Sequence, residues 1–208
     1  MIASSIQINQ HLAERLANDG WYVGESIFDA ELSARLHDRA YELAGGGALQ
    51  PARVGRNMAT QTQAEIRRDD TLWLADQPED AAERAATLAV TSLRLALNEA
   101  LFAGLRSAEL HFARYAPGTF YRRHRDRFRD DDGRVITVVF YLNNDWSPDA
   151  GGELVLYTDD GDSVLTRVLP SAGTMVCFLS ERFPHEVLPA TRERLSLTGW
   201  LRRDERDT

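Results

Sequence analysis

From Asp29 the stretch DAELSARLHDRAYELAGGG places Leu32, Leu36, Ala40 and Leu43 on one face at helical spacing. Asp29 stands where an N-cap belongs and Gly45 where the helix should end. A longer helix is predicted from Pro78, where PEDAAERAATLAVTSLRLALNEALF opens with proline and acids and is followed by Gly104. Its apolar positions, among them Leu88, Leu93, Leu97 and Leu101, suit a helix laid across a sheet. The residues between these helices carry no sustained apolar period, and 45–68 read as a long polar loop of the kind that serves as a lid. From Leu110 the period changes to two. HFARY, FYRRHRDRF, RVITVVFYL, ELVLY, SVLTRVL, TMVCFL and RLSLTGWL are predicted strands, separated by breaks rich in Gly, Pro, Asn and Asp. The expected fold is α+β, a jelly roll or β-sandwich over 110–204 braced by helices within 1–109, in one domain of 208 residues.

Composition removes several chemistries. All 24 basic residues are arginine, so a lysine Schiff base, a P-loop lysine and a kinase lysine are excluded. The single cysteine, Cys177, rules out an internal disulfide and any multi-thiolate metal site held by this chain alone. A bound metal must use His, Asp or Glu. The net charge of -8 argues against a general polyanion partner. The amino terminus has no basic segment leading into an apolar run, and no stretch approaches a membrane span, so a cytoplasmic protein without a membrane partner is expected.

Three positions could then carry chemistry together. His124 and Asp126 form a His-x-Asp triplet inside a strand pattern, where side chains two apart point the same way. Five histidines and eighteen aspartates in 208 residues make about 0.4 such triplets by chance, so the triplet alone says little. His185, beyond the apolar strand TMVCFL, could complete a set of two imidazoles and a carboxylate, the donor set of non-haem Fe(II) enzymes that activate O2. Arg194, Ser196, Thr198 and Trp200 share one strand face, so Arg194 projects a permanent charge that needs an anion. Tyr141 and Tyr115 end apolar strands nearby. Tyr121 falls on the opposite parity from His124 and receives no role.

The order and spacing of these residues resemble the 2-oxoglutarate- and Fe(II)-dependent dioxygenases. Within that class, RYAPGTFYRRHRDRF, DDGRVITVVFYLNNDW, GGELVLY and FPHEVLPATRERLSLTGW resemble the prolyl 4-hydroxylases related to the hypoxia-inducible-factor prolyl hydroxylases and their bacterial relatives. Upstream, IRRDDTLWL resembles the end of the family's mobile substrate loop and the strand after it. The resemblance implies a double-stranded β-helix and iron ligands at His124, Asp126 and His185. It implies a cosubstrate site in which Arg194 and Tyr141 hold the distal carboxylate of 2-oxoglutarate, with Thr198, Tyr115 and Leu154 around it. Arg134 matches an arginine near the peptide groove, and Arg67 with Asp69 match residues that position the lid. His111 departs from the pattern by standing where an apolar residue is expected.

The implied reaction consumes O2 and 2-oxoglutarate, releases succinate and CO2, and hydroxylates a prolyl residue in a protein, with ascorbate as a supporting reductant. By analogy with bacterial relatives, a translation factor such as elongation factor Tu is the expected kind of partner. A free amino acid or other small metabolite remains open as the substrate of the same site. Nucleic-acid demethylation is disfavoured, because enzymes of that kind place a second arginine six residues after the first and Trp200 occupies that position here. A non-enzymatic binding module would need to leave the full ligand set unused.

Overall fold

The computed structural model describes residues 2–52, 65–126 and 133–204. Most of the expected lid, at 53–64, and the arginines at 127 and 129 lie outside the described residues. The chain runs α1 (Ile2–Asn18), β1 (Trp21–Glu25), α2 (Ala30–Gly45), β2 (Gln50–Pro51), β3 (Asp70–Trp73) and α3 (Ala81–Leu101). It continues through β4 (Ser107–Tyr115), β5 (Tyr121–His124), β6 (Arg134–Tyr141), β7 (Leu154–Tyr157), β8 (Val164–Val168), β9 (Thr174–Leu179), β10 (His185–Val187) and β11 (Arg194–Arg202).

The strands form a seven-stranded sheet ordered β1-β9-β6-β11-β4-β3-β2 and a four-stranded sheet ordered β5-β10-β7-β8. Neighbouring strands pair antiparallel throughout. This is the expected α+β jelly roll braced by amino-terminal helices.

Strand parity decides what each face of the large sheet does. On β6, Ile136, Val138 and Phe140 pack into the cluster formed with the helices, while Val139 and Tyr141 pack toward the smaller sheet. A strand buried on both faces reads as a continuous apolar run, as RVITVVFYL does. On β11, Leu195, Leu197 and Leu201 join the helix-side core, where Leu36, Leu93 and Leu97 are fully buried. Each such leucine contributes roughly 2 kcal/mol of transfer free energy. The opposite parity of β11 carries Arg194, Ser196, Thr198 and Trp200 into the interior between the sheets.

The helices follow their caps. The Asp29 carboxylate accepts from the Leu32 backbone N–H at 2.8 Å, and that of Asp80 accepts from the N–H groups of Ala82 and Glu83. Gly46, one residue past the expected end, caps α2, and Phe102 in the left-handed region (φ 50°) caps α3. Leu88 is a correction, being 67% exposed. It lies five residues before Leu93, which turns it about 140° away from the face that Ala86, Val90, Leu93 and Leu97 bury. The pattern also gave no notice of β1, and it carried β5 too far, since that strand ends at His124.

Candidate active site

Both imidazoles are set by the same backbone contact. Nδ1 of His124 bonds the Arg122 carbonyl at 2.8 Å and Nδ1 of His185 bonds the Phe183 carbonyl at 3.2 Å. A carbonyl can only accept, so each Nδ1 carries the proton and each Nε2 keeps its lone pair. His124 and His185 are paired residues of β5 and β10. Their Nε2 atoms lie 3.4 Å and 3.6 Å from opposite oxygens of Asp126. All three ligand atoms fall within 4.8 Å of one another.

Asp126 sits in the bend beyond β5, 7% exposed, so strand alternation is not what brings it beside His124. Thr137 on β6 does that, donating to its Oδ2 at 2.8 Å, with Ser180 a further 2.9 Å from the threonine hydroxyl. Burial alone would raise the Asp126 carboxyl, but the adjoining His185 and His124 rings and the bond from Thr137 outweigh it and keep the group ionised. Burial pushes His185 down to about 4, which leaves it neutral at physiological pH. Two inward-facing lone pairs and a carboxylate repel one another unless a cation sits between them. The donor set fits Fe(II), with one protein face of ligands and open positions opposite.

The second feature is an unpaired buried cation. Arg194 is 1% exposed, and no acidic side chain pairs with it among the described residues. Its Nε donates to the Gly152 carbonyl at 3.0 Å, and its guanidinium lies 5.0 Å and 5.1 Å from the rings of Tyr115 and Tyr141. The Tyr141 hydroxyl is buried without a hydrogen-bond partner among the described residues, and burial, opposed by the nearby Arg194, raises it to about 12, so it stays a donor. A buried fork of N–H groups beside an orphaned hydroxyl fits a carboxylate. Thr198 joins the wall, its hydroxyl 3.2 Å from that of Ser196, and Leu154 on β7 closes the apolar side.

Both features open into one cavity of about 880 Å³. Arg67 and Asp69 form a two-point pair at 2.7 Å and 2.5 Å on its rim, with Arg67 over the Tyr121 ring at 4.4 Å. Arg134 donates to Glu109 at 2.8 Å and lies 3.6 Å over the Trp200 ring.

Ten of the eleven residues expected at the site therefore line this cavity, and the eleventh, Tyr141, stands behind Arg194 with its ring 5.1 Å from that guanidinium. Tyr121 is the correction. It stacks on His124 with ring centroids 3.5 Å apart and 15° between planes, on the cavity side rather than opposite. The β5–β10 ladder shifts register between the His185–His124 and Val187–Tyr121 pairs. Two residues of β10 thus span three of β5, and parity counted across such an irregularity fails. Thr137 was also missed, although its hydroxyl in the apolar run RVITVVFYL was the available signal. Arg125 lines the cavity too, despite its odd parity, while its guanidinium is held by the Glu181 and Arg182 carbonyls at 2.7 Å and 2.8 Å.

Comparison with known proteins gives a consistent picture. Residues 110–202 match the 2OG-Fe(II) oxygenase superfamily. The crystal structure of a Pseudomonas putida prolyl-4-hydroxylase is 41% identical, with TM-score 0.85, over 94% of this chain and 100% of that one. A Trichoplax adhaerens prolyl hydroxylase in complex with a hypoxia-inducible-factor peptide fragment is 25% identical, with TM-score 0.87, over 97% of this chain and 92% of that one. The human prolyl hydroxylase EGLN3 is 28% identical over 86% of this chain and 74% of its own length.

Proposed function

This chain belongs to the 2OG-Fe(II) oxygenase superfamily, and on that premise we propose that it hydroxylates a prolyl residue of a protein substrate. The observation that carries the reading is the meeting, in one cavity, of the His124, Asp126 and His185 donors with the buried Arg194, which pairs with no acid among the described residues. Bound Fe(II) supplies the activation of O2, coupled to decarboxylation of 2-oxoglutarate to succinate and CO2, and so places one oxygen atom on a substrate C–H bond.

The chain's own residues orient and exclude. His124 and His185 present neutral Nε2 atoms, Asp126 supplies one negative charge, and Thr137 fixes the carboxylate from behind. Arg194 and Tyr141 would grip the distal carboxylate of 2-oxoglutarate, leaving its 2-oxoacid end toward the three ligands. Leu154, Val139 and Tyr115 keep water from that end of the cavity. Beyond the metal ligands, the described arginines Arg67 and Arg134 are each already paired with an acid and so offer little to the carboxylate of a zwitterion. That favours a peptide over a free amino acid. We assign residues 45–68 as the substrate lid and the sheets of 110–204 as the catalytic core of one domain. A translation factor such as elongation factor Tu is the proposed kind of partner, ascorbate the supporting reductant and the cytoplasm the site of action. Among the described residues, no helix is long and apolar enough to cross a membrane.

The test is peptide mass spectrometry on a lysate incubated with enzyme, Fe(II), 2-oxoglutarate and isotopically labelled O2, with Asp126→Ala as control. Labelled oxygen on a particular prolyl residue, absent with the control, is the expected result. Succinate release above the uncoupled rate with no labelled protein would overturn the prolyl assignment in favour of a small metabolite.

A further inference from the structure

The cavity wall away from Arg194 is built of rings from neighbouring strands of the large sheet. Trp73 on β3, His111 on β4 and Trp200 on β11 project from the cavity face, with Trp73 directly opposite His111 in the ladder. The His111 ring lies 4.7 Å from Trp73 and 5.4 Å from Trp200, nearly parallel to the latter at 21°. His111 is 4% exposed and Trp200 8%. Nδ1 of His111 and Nε1 of Trp200 are both buried without a hydrogen-bond partner among the described residues. Stacked rings cannot satisfy each other through their edges.

A polar ring among indoles, at a position where an apolar residue is expected, calls for a partner from outside the chain. Nδ1 is sequestered, so Nε2 is the nitrogen the cavity can reach. An orphaned N–H is somewhat rarer in proteins than an orphaned acceptor, which favours the bare lone pair on Nδ1 and the proton on Nε2. The indole N–H of Trp200 can only donate. Both rings therefore lack an acceptor, and the cations beside them are already neutralised, Arg134 by Glu109 and Arg67 by Asp69. The acceptor that fits is uncharged.

We propose that His111 is a specificity-determining residue that donates from Nε2 to a backbone carbonyl of the substrate peptide flanking the target residue. The inference rests on the peptide reading above and deepens it. A free carboxylate would gain no net charge from this wall, whereas a peptide carbonyl laid along the rings gains a donor and an aromatic surface.

The test begins with a library of proline-centred peptides offered to the iron-loaded enzyme with 2-oxoglutarate and O2. The most strongly hydroxylated peptide is then remade with each flanking amide replaced in turn by an ester, whose carbonyl accepts more weakly. Its affinity is measured under nitrogen with Fe(II) and 2-oxoglutarate present, for wild type, His111→Phe and His111→Gln. His111→Phe should weaken binding about five- to tenfold, the effect of one lost hydrogen bond. It should leave kcat at saturating peptide and the KM for 2-oxoglutarate unchanged. His111→Gln, which keeps an amide N–H near the Nε2 position, should recover most of the loss. One ester should weaken the wild type and leave His111→Phe unaffected.

Wild-type affinity in His111→Phe would overturn the proposal, as would esters that weaken both proteins equally at every position. If the wild type hydroxylates no peptide at all, the peptide reading itself fails and takes the subsite with it.

Discussion

At His124 and His185 a backbone carbonyl two residues earlier in the chain fixes each ring, so the metal-facing atoms are chosen before any metal arrives. The third ligand depends on a side chain instead. Among the described residues Thr137 is the donor that fixes Asp126, and removing it leaves the carboxylate free to turn. Thr137→Val should lower Fe(II) affinity by about tenfold or more, the usual cost of losing such a support, with little change in Tm. Anaerobic titration with Fe(II) measures it, and unchanged affinity would remove Thr137 from the site. Arg194 makes a sharper prediction, because a carboxylate gripped by a planar fork is not held equally by a point charge. Arg194→Lys should raise the KM for 2-oxoglutarate about tenfold or more. A KM equal to that of the wild type would assign the anion elsewhere.

At the level of elements, the loops between strands hold the site as much as the strands do. Gly152, just before β7, adopts φ +75°, and its carbonyl anchors Arg194. An added Cβ would come 2.9 Å from the Ala190 Cβ and 3.1 Å from Trp146, in a backbone region costly for L residues. Gly152→Ala should destabilise the fold by about 1–3 kcal/mol and raise the KM for 2-oxoglutarate as Arg194 loses its anchor. Thermal melts and steady-state kinetics read the two effects, and an unchanged KM would show that the anchor is dispensable.

The same scale explains what could be read from the chain. Regular elements were legible because their signals are local: the Asp29 cap, the double-faced apolar run of β6 and the alternating polar face of β11. Features set by pairing were not. Tyr121 reaches the His124 ring through a register shift that only the β10 partner defines, and Asp126 reaches the metal position from beyond a strand end. Leu88 is apolar but faces solvent, because its angle on α3, not its side-chain type, decides burial.

For the molecule as a whole, buried histidines tie stability to pH. Burial, with smaller opposing contributions from Arg67 and Arg134 against Asp69 and Asp126, depresses His111 from 6.5 to about 3. The unfolded chain takes up a proton near 6.5 while the folded one stays neutral down to about 3, so acid favours unfolding. The stability tied to neutral His111 is whole above pH 6.5 and is lost progressively as pH falls toward 3. Melting the iron-free wild type and His111→Phe between pH 7.5 and 5 should show the steeper loss of Tm in the wild type. Parallel curves would mean that the imidazole titrates normally. Three ligands and an arginine clamp lie between two sheets, and anaerobic Fe(II) titration followed by 2-oxoglutarate reads both parts of that site in one experiment. One Fe(II) per chain and a visible charge-transfer band on adding 2-oxoglutarate are expected, with iron binding lost in Asp126→Ala and the band demanding far more 2-oxoglutarate in Arg194→Lys. Undiminished iron binding by Asp126→Ala would contradict this ligand set.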